Sequence, residues 1–173
     1  SWSLPCEILH IGAVMPRSLR KKYFLNYYKT NDDFKPDWVI GAEMVMRTKD
    51  ARAIGGFSTE YFMYTEDMDL CKKISVILKK QIYFISGVSL IHLGGASEAQ
   101  NVNYNKQKKL FQNDMIFVRK FYGESEAKRA KQKVMKAYLL RKLLLTAAYW
   151  KKDRSKHLSK TEEAYNILKN VEG

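Results

Sequence analysis

Three carboxylates crowd one short run: Glu66, Asp67 and Asp69 follow Thr65 in the sequence Tyr61-Phe62-Met63-Tyr64-Thr65-Glu66-Asp67-Met68-Asp69. A carboxylate held rigidly at a cleft can take the proton from a hydroxyl as its oxygen attacks an electrophilic carbon. The first turn of a helix is such a rigid place. Its exposed N–H groups favour the ionised acid, which is the form a base requires. Three acids are more than helix capping needs, and their mutual repulsion can raise the pKa of one. The plainer alternative is helix stability alone, since acidic residues are common in first turns. Asp67-Met68-Asp69 also matches the short Asp-x-Asp metal pattern, a motif frequent enough to carry little weight. One of the three is the candidate reacting group. The others would orient the site or cap the helix.

The elements around this run must position it. Residues 38–47 are rich in Val, Ile and Met and read as a strand, in which Gly41, beside Ala42, permits close backbone approach. Residues 48–54 read as a short helix capped by Thr48, with Gly55-Gly56 as its stop. Thr65 then caps a second helix, whose core stripe is Met68, Cys71, Ile74 and Leu78. Short strands follow at residues 82–85 and 88–92, and residues 93–97 form a glycine-rich exit. Beyond residue 100 everything reads as helical, at residues 105–122, 126–150 and 161–171. In the second of these helices Met135, Tyr138, Leu139, Leu143 and Ala147 share the expected core face. Before residue 30, residues 8–15 are a strand candidate and 18–29 a short helix or loop.

His92 ends the second short strand, just before Leu93-Gly94-Gly95. A strand-end histidine is commonly a hydrogen-bonded structural residue, but next to a glycine pair it can also serve a metal or phosphate site. His10 and His157 have no such setting. Cys6 and Cys71 make no metal or disulfide framework, and Cys71 falls in an apolar helical stripe, so a buried, reduced thiol is expected.

Four pieces occur in order: Trp38-Val39-Ile40-Gly41-Ala42, Gly55-Gly56-Phe57, the Tyr61–Cys71 run with its Glu66-Asp67 pair, and Ile91-His92-Leu93-Gly94-Gly95-Ala96-Ser97. Together they resemble the second half of the catalytic domain of family 2 glycosyltransferases, nearest to bacterial rhamnosyl- and galactofuranosyl-transferase-like enzymes. The resemblance covers residues 37–97 well and the helical tail loosely. It implies an α/β fold, the C-terminal half of a GT-A (Rossmann-like) domain followed by a helical extension. It implies an inverting, metal-dependent transfer from a nucleotide-sugar donor to a glycan or lipid-linked acceptor, in cell-surface polysaccharide synthesis. Asp67 matches the family's base, with Glu66 beside it. Trp38, Gly41, Ala42, Tyr64 and Asp69 fall on the substrate side, with Tyr61, Phe62 and Tyr64 as an apolar wall for a sugar ring or lipid-linked acceptor. His92 matches a residue that ligates metal in some members. The cofactor would be Mg or Mn, its main ligands expected in a preceding half that carries the family's Asp-x-Asp. The segment alone is accordingly expected to be inactive.

Composition sets the outer bounds. The chain has 173 residues, 46% hydrophobic and 13% aromatic, which is too apolar for a disordered tail. Ser1 and the early apolar residues Trp2, Leu4 and Ile8 read as the start of an excised segment. The sequence shows neither a secretory signal nor a run long enough to span a bilayer. Net charge is +13, and residues 100–173 carry +11 of it while residues 1–99 carry +2. The expected division is therefore residues 1–99, bearing the catalytic base and acceptor side, and 100–173, a basic helical extension. Lys128, Arg129, Lys131, Lys133 and Lys136 beside Leu143, Tyr149 and Trp150 have the composition of an interfacial helix, expected to meet an anionic membrane surface on the cytoplasmic side. The competing class is a non-enzymatic basic adaptor for anionic lipid or nucleic acid. No DNA- or RNA-reading motif accompanies the charge, so no nucleic-acid partner is expected.

Overall fold

The structure, a computed structural model, describes Pro5, Ile8, Leu9, residues 32–61, 63–92 and 106–148, Trp150, and residues 152–171. Expectations for residues 10–30 and 93–105, and for Cys6, Phe62 and Tyr149, lie outside these. Among the described residues five α-helices carry the regular structure: α1 (Thr48–Ala53), α2 (Glu66–Val76), α3 (Lys106–Tyr122), α4 (Glu124–Ala147) and α5 (Arg154–Lys169). Their β-structure is one antiparallel bridge between Phe34 and Phe84. These two exchange backbone bonds of 3.2 and 2.9 Å, and their ring centroids stand 5.0 Å apart.

This corrects the expected α/β, Rossmann-like fold: the described residues are helical and form no sheet. Residues 38–47 run irregularly, with Gly41 and Ala42 in a turn. Ile40 is 66% and Val45 92% exposed, and Ile91, in the last expected strand, is 91% exposed. The physical reason is the partner requirement. Strand preference is a preference for a pleated surface with neighbours on it, and a single apolar run without a ladder has nothing to satisfy its backbone or cover its side chains.

The chain divides into two compact units, residues 30–113 and residues 1–29 with 114–173. In the first, Thr48 is the first helical residue of α1, behind an extended Arg47 at the cap position, and no side chain caps this end. Gly55 and Gly56 end the helix at φ 72° and 63°, a left-handed pair that glycine adopts without strain. Lys80 grips Asp50 of α1 through both carboxylate oxygens, at 2.7 and 2.6 Å. That hydrogen bond holds the Asp50 carboxyl below the usual carboxylate range. Within this unit Ile54, Tyr61, Leu70, Cys71 and Phe111 are buried. Of the expected α2 stripe, Cys71 is fully buried while Met68, Ile74 and Leu78 are half-buried.

In the second unit α4 and α5 pack as an antiparallel pair. Its order is shown by side-chain bonds that run in opposite senses along the two helices: Arg154 Nε to Leu145 O at 2.8 Å, Lys142 to Glu162 at 2.8 Å, and Lys131 to the carbonyls of Lys169 and Val171. Lys131 thus serves the dangling C-terminal carbonyls of α5. Arg141 donates to Ile8 O at 2.7 Å. Ala127, Val134, Ala137, Tyr138 and Leu145 of α4 are buried, as are Thr161, Ala164 and Leu168 of α5.

The core face of α4 is therefore rotated from the expected one. Tyr138 is buried as expected and Met135 is half-buried, but Leu139, Leu143 and Ala147 lie on the exposed side. Small residues decide this. Ala127, Ala137 and Ala164 let two helix backbones approach, Val134, Tyr138, Leu145 and Leu168 fill the space beside them, and Leu139 and Leu143 are left outside.

A substitution pair tests the rotated face. Leu168→Ala, at a fully buried position, should cost about 2–5 kcal/mol in urea unfolding followed by circular dichroism. Leu143→Ala, at a position 67% exposed, should change stability by less than about 0.5 kcal/mol. Equal costs at the two sites would show that the face is misassigned.

Candidate active site

The acidic run opens α2, as the residue pattern requires, and the entry to the helix is unusual. Tyr64 and Thr65 have φ of 69° and 72°. Left-handed backbone in two successive non-glycine residues costs about 1–3 kcal/mol each, and a β-branched threonine is a marked outlier there. Thr65 occupies the N-cap position but makes no side-chain cap bond. A side-chain cap needs an extended N-cap backbone, and the left-handed turn does not supply it. Asp67 does the work instead, its Oδ1 accepting the Met68 N–H at 2.8 Å.

Two carboxylates in this turn face opposite ways. Residues two apart on a helix lie about 200° apart around its axis. Asp67 shares a face with Cys71, and Asp69 shares the other with Lys73. An Asp-x-Asp pair on a helix therefore cannot close on one ion, and Asp67-Met68-Asp69 is not a chelate.

On the first face, the segment around Gly41 crosses α2. The Gly41 N–H donates to Asp67 Oδ2 at 3.1 Å. Burial pushes the Cys71 thiol up, partly offset by a hydrogen bond from the Val39 backbone. The approach seen at Gly41 is to α2, and it does not require glycine. A Cβ there would lie 3.5 Å from Asp67 Cβ, an ordinary contact, so alanine also fits. Asp67 is half-buried. Each carboxylate oxygen has two lone-pair sites, so two backbone donors fix the plane of the group and leave half its accepting capacity for a ligand.

On the second face, Asp69 is fully buried. It accepts from Ser58 Oγ at 2.6 Å and from the Tyr61 hydroxyl at 3.2 Å, and it pairs with Lys73 at 3.4 Å. Lys73 donates in turn to Gly56 O at 2.6 Å and Ser58 Oγ at 3.0 Å. Burial, together with the Asp69 charge, pushes the Tyr61 hydroxyl well above the ordinary tyrosine value. This network ties residues 56–61 to α2. Asp69, expected on the substrate side, has its carboxylate committed to these internal partners.

The remaining expected residues are dispersed around this core. Glu66 is half-buried, and its Oε2 is buried without a hydrogen-bond partner. Tyr64 is half-buried, with the Lys106 ammonium 5.2 Å from its ring centroid. Trp38 is 41% exposed, and Ala42 is exposed beside Gly41. His92 is exposed at the end of the second described segment. Among the described residues no three His, Cys, Asp or Glu side chains converge where a metal could bind.

Sequence reasoning missed two contributors. Lys73 carried a signal, being four residues after Asp69 on a helix. Asn113 carried none. It is fully buried in α3, and its amide donates to the carbonyls of Met63 and Tyr64 at 2.7 and 2.8 Å.

With this geometry in view, comparison with known proteins adds one relation. Over 56 residues the chain is 36% identical to the rhamnosyltransferase WbbL of Escherichia coli (strain K12). The match takes in 32% of this chain and spans 21% of that protein's length. No family model matches the chain. No solved structure matches it. The similarity is to a glycosyltransferase and is local.

Two measurements check the two faces of α2. Lys73→Met leaves Asp69 buried without its cation and should destabilise the chain by about 3–5 kcal/mol in urea. Cys71, buried and with a raised pKa, should resist a thiol reagent at neutral pH in the folded chain and react promptly in denaturant. Rapid labelling without unfolding would show that this face is open.

Proposed function

We propose that this chain carries the acceptor side and catalytic base of an inverting glycosyltransferase that uses a nucleoside-diphosphate sugar. The observation that carries the reading is Asp67: a half-buried carboxylate in a first helical turn, oriented by two backbone N–H donors, with lone pairs to spare. The local likeness to a rhamnosyltransferase supports the reaction class. In the reaction the acceptor hydroxyl oxygen forms a bond to the anomeric carbon and gives its proton to Asp67. The bond from that carbon to the diphosphate oxygen breaks, and the nucleoside diphosphate leaves with its electron pair. Attack opposite the leaving group inverts the anomeric centre. Trp38 and Tyr64 would present aromatic surface to the acceptor.

The same reading includes an anionic membrane surface as partner, on the cytoplasmic side where nucleotide-sugars would be met. No helix among the described residues is long and apolar enough to cross a membrane. The exposed side of α4 has the character of an interfacial face. Lys133 and Lys136 come first along it, then Leu139, Leu140, Leu143 and Leu144, with Trp150 just beyond the helix at 76% exposure. Leucines and a tryptophan suit the headgroup boundary, and the lysines suit its phosphates.

In the natural full-length protein Asp67→Asn should preserve the fold and donor binding while lowering turnover by a factor of about 10² or more. Wild-type turnover would remove Asp67 from the mechanism. The membrane face is checked by sedimentation with phosphatidylserine and phosphatidylcholine vesicles. The chain should pellet with the anionic vesicles, less with neutral ones and less again at high salt, each lysine near the surface contributing about 1 kcal/mol. Lys133→Glu with Lys136→Glu should weaken this strongly. Lys131 is left in place because it holds the end of α5. Tight binding to nucleic acid with none to vesicles would favour the adaptor class instead.

A further inference from the structure

The turn ahead of α2 is held in its left-handed form by a residue outside α2. Tyr64 and Thr65 both have positive φ. Such a pair persists only where surrounding structure imposes it. The imposing group is Asn113, fully buried and 49 residues beyond Tyr64 along the chain. A side-chain amide has two N–H donors, and here one nitrogen serves two successive carbonyls, those of Met63 at 2.7 Å and Tyr64 at 2.8 Å. The orientation of the amide is forced, because turning it over would set Oδ1 against two carbonyl oxygens. Among the described residues its Oδ1 has no hydrogen-bond partner. A fully buried amide with an unsatisfied acceptor is a costly choice for core filling. What it supplies is the pair of donors.

The carbonyls it grips lie three and four residues ahead of Asp67. The direction in which the chain leaves Thr65 sets the axis of the first turn of α2, and with it the aim of the Asp67 carboxylate. We infer that Asn113 is a positioning residue for the transfer reaction: by clamping the Met63 and Tyr64 carbonyls it holds the left-handed turn that aims Asp67. The inference rests on the reading of Asp67 as the base. Its geometric half, however, can be tested without turnover. Gly41 N–H bonds to Asp67 Oδ2, so the Gly41 amide proton reports where that carboxylate points.

The experiment uses Asn113→Leu, which removes both donors and keeps similar bulk. In the 173-residue chain, the Gly41 amide resonance should follow the ionisation of Asp67 in a pH titration by NMR. Asn113→Leu should abolish that response while the helical circular dichroism remains. In the natural full-length protein the same variant should lower kcat by about tenfold or more with the donor KM near wild type, the pattern of a misplaced group. Adding Thr65→Gly, which accepts positive φ without strain, should restore part of both losses. A folded Asn113→Leu protein with an unchanged Gly41 titration and unchanged kcat overturns the inference. Should Asn113→Leu not fold, the double variant decides. Recovery of the fold and the Gly41 response with Thr65→Gly supports the clamp, and unfolding there too assigns Asn113 to global stability and overturns it. Asp67→Asn is measured alongside. Full turnover in that variant defeats the base reading alone, while the Gly41 titration still judges the clamp.

Discussion

The buried pair of Asp69 and Lys73 is the interaction on which the acidic turn depends. A fully buried carboxylate needs a cation and donors around it, and this one has Lys73, Ser58 and Tyr61. Taking one partner away would strand a charge, so the loop of residues 56–61 and helix α2 must form together. The pairing also sets the rotation of α2 about its axis. With Asp69 and Lys73 turned to that loop, helical geometry turns Asp67 and Cys71 to the segment around Gly41. The placement of the candidate base follows from the placement of a structural ion pair two residues away.

What was legible in the sequence was local. The glycine stop after α1, the first-turn acids and start of α2 and the extent of α3 followed from periodicity and turn chemistry, which act within a few residues, while α2 ends at Val76, before the Leu78 of its expected stripe. What was not legible depended on partners far along the chain. The run of residues 38–47 has the composition of a strand, yet with no neighbouring strand among the described residues it stays irregular, Val45 standing open. Asn113 is an ordinary polar residue in a helical pattern until two carbonyls some fifty positions earlier are found on its amide. The rotation of α4 had a similar origin. Leucine outweighs alanine in any count of hydrophobicity. The buried face of α4 mixes small residues with large ones, Ala127 and Ala137 with Val134, Tyr138 and Leu145, while Leu143 lies outside.

That rotation changes what the basic region can be. With the leucines inward, its charge would decorate an ordinary solvated helix. With them outward, the exposed side of α4 runs from basic residues to apolar ones along its length, and Trp150 follows. A surface of mixed character costs solubility unless something covers it. The mixture, cations beside large apolar groups, is what motivates the proposed anionic-membrane partner over a nucleic-acid one. Nucleic acid would reward the charge and leave the leucines in water.

The chemistry of the acidic turn can then be narrowed by elimination within it. Asp69 is spent on the fold, with Ser58, Tyr61 and Lys73 on its two oxygens. Glu66 has one oxygen buried without a donor among the described residues, out of reach of a ligand in solvent. Asp67 alone combines partial exposure, a fixed plane and unused lone pairs. Its two backbone donors come from different places, Met68 within the helix and Gly41 in the segment crossing over it, so the group is aimed by tertiary structure and not by helix geometry alone. An acid placed only to stabilise a helix end needs the first donor and has no use for the second. The Gly41 bond therefore distinguishes Asp67 from a common capping residue, and it ties the reach of this carboxylate to the turn that Asn113 holds.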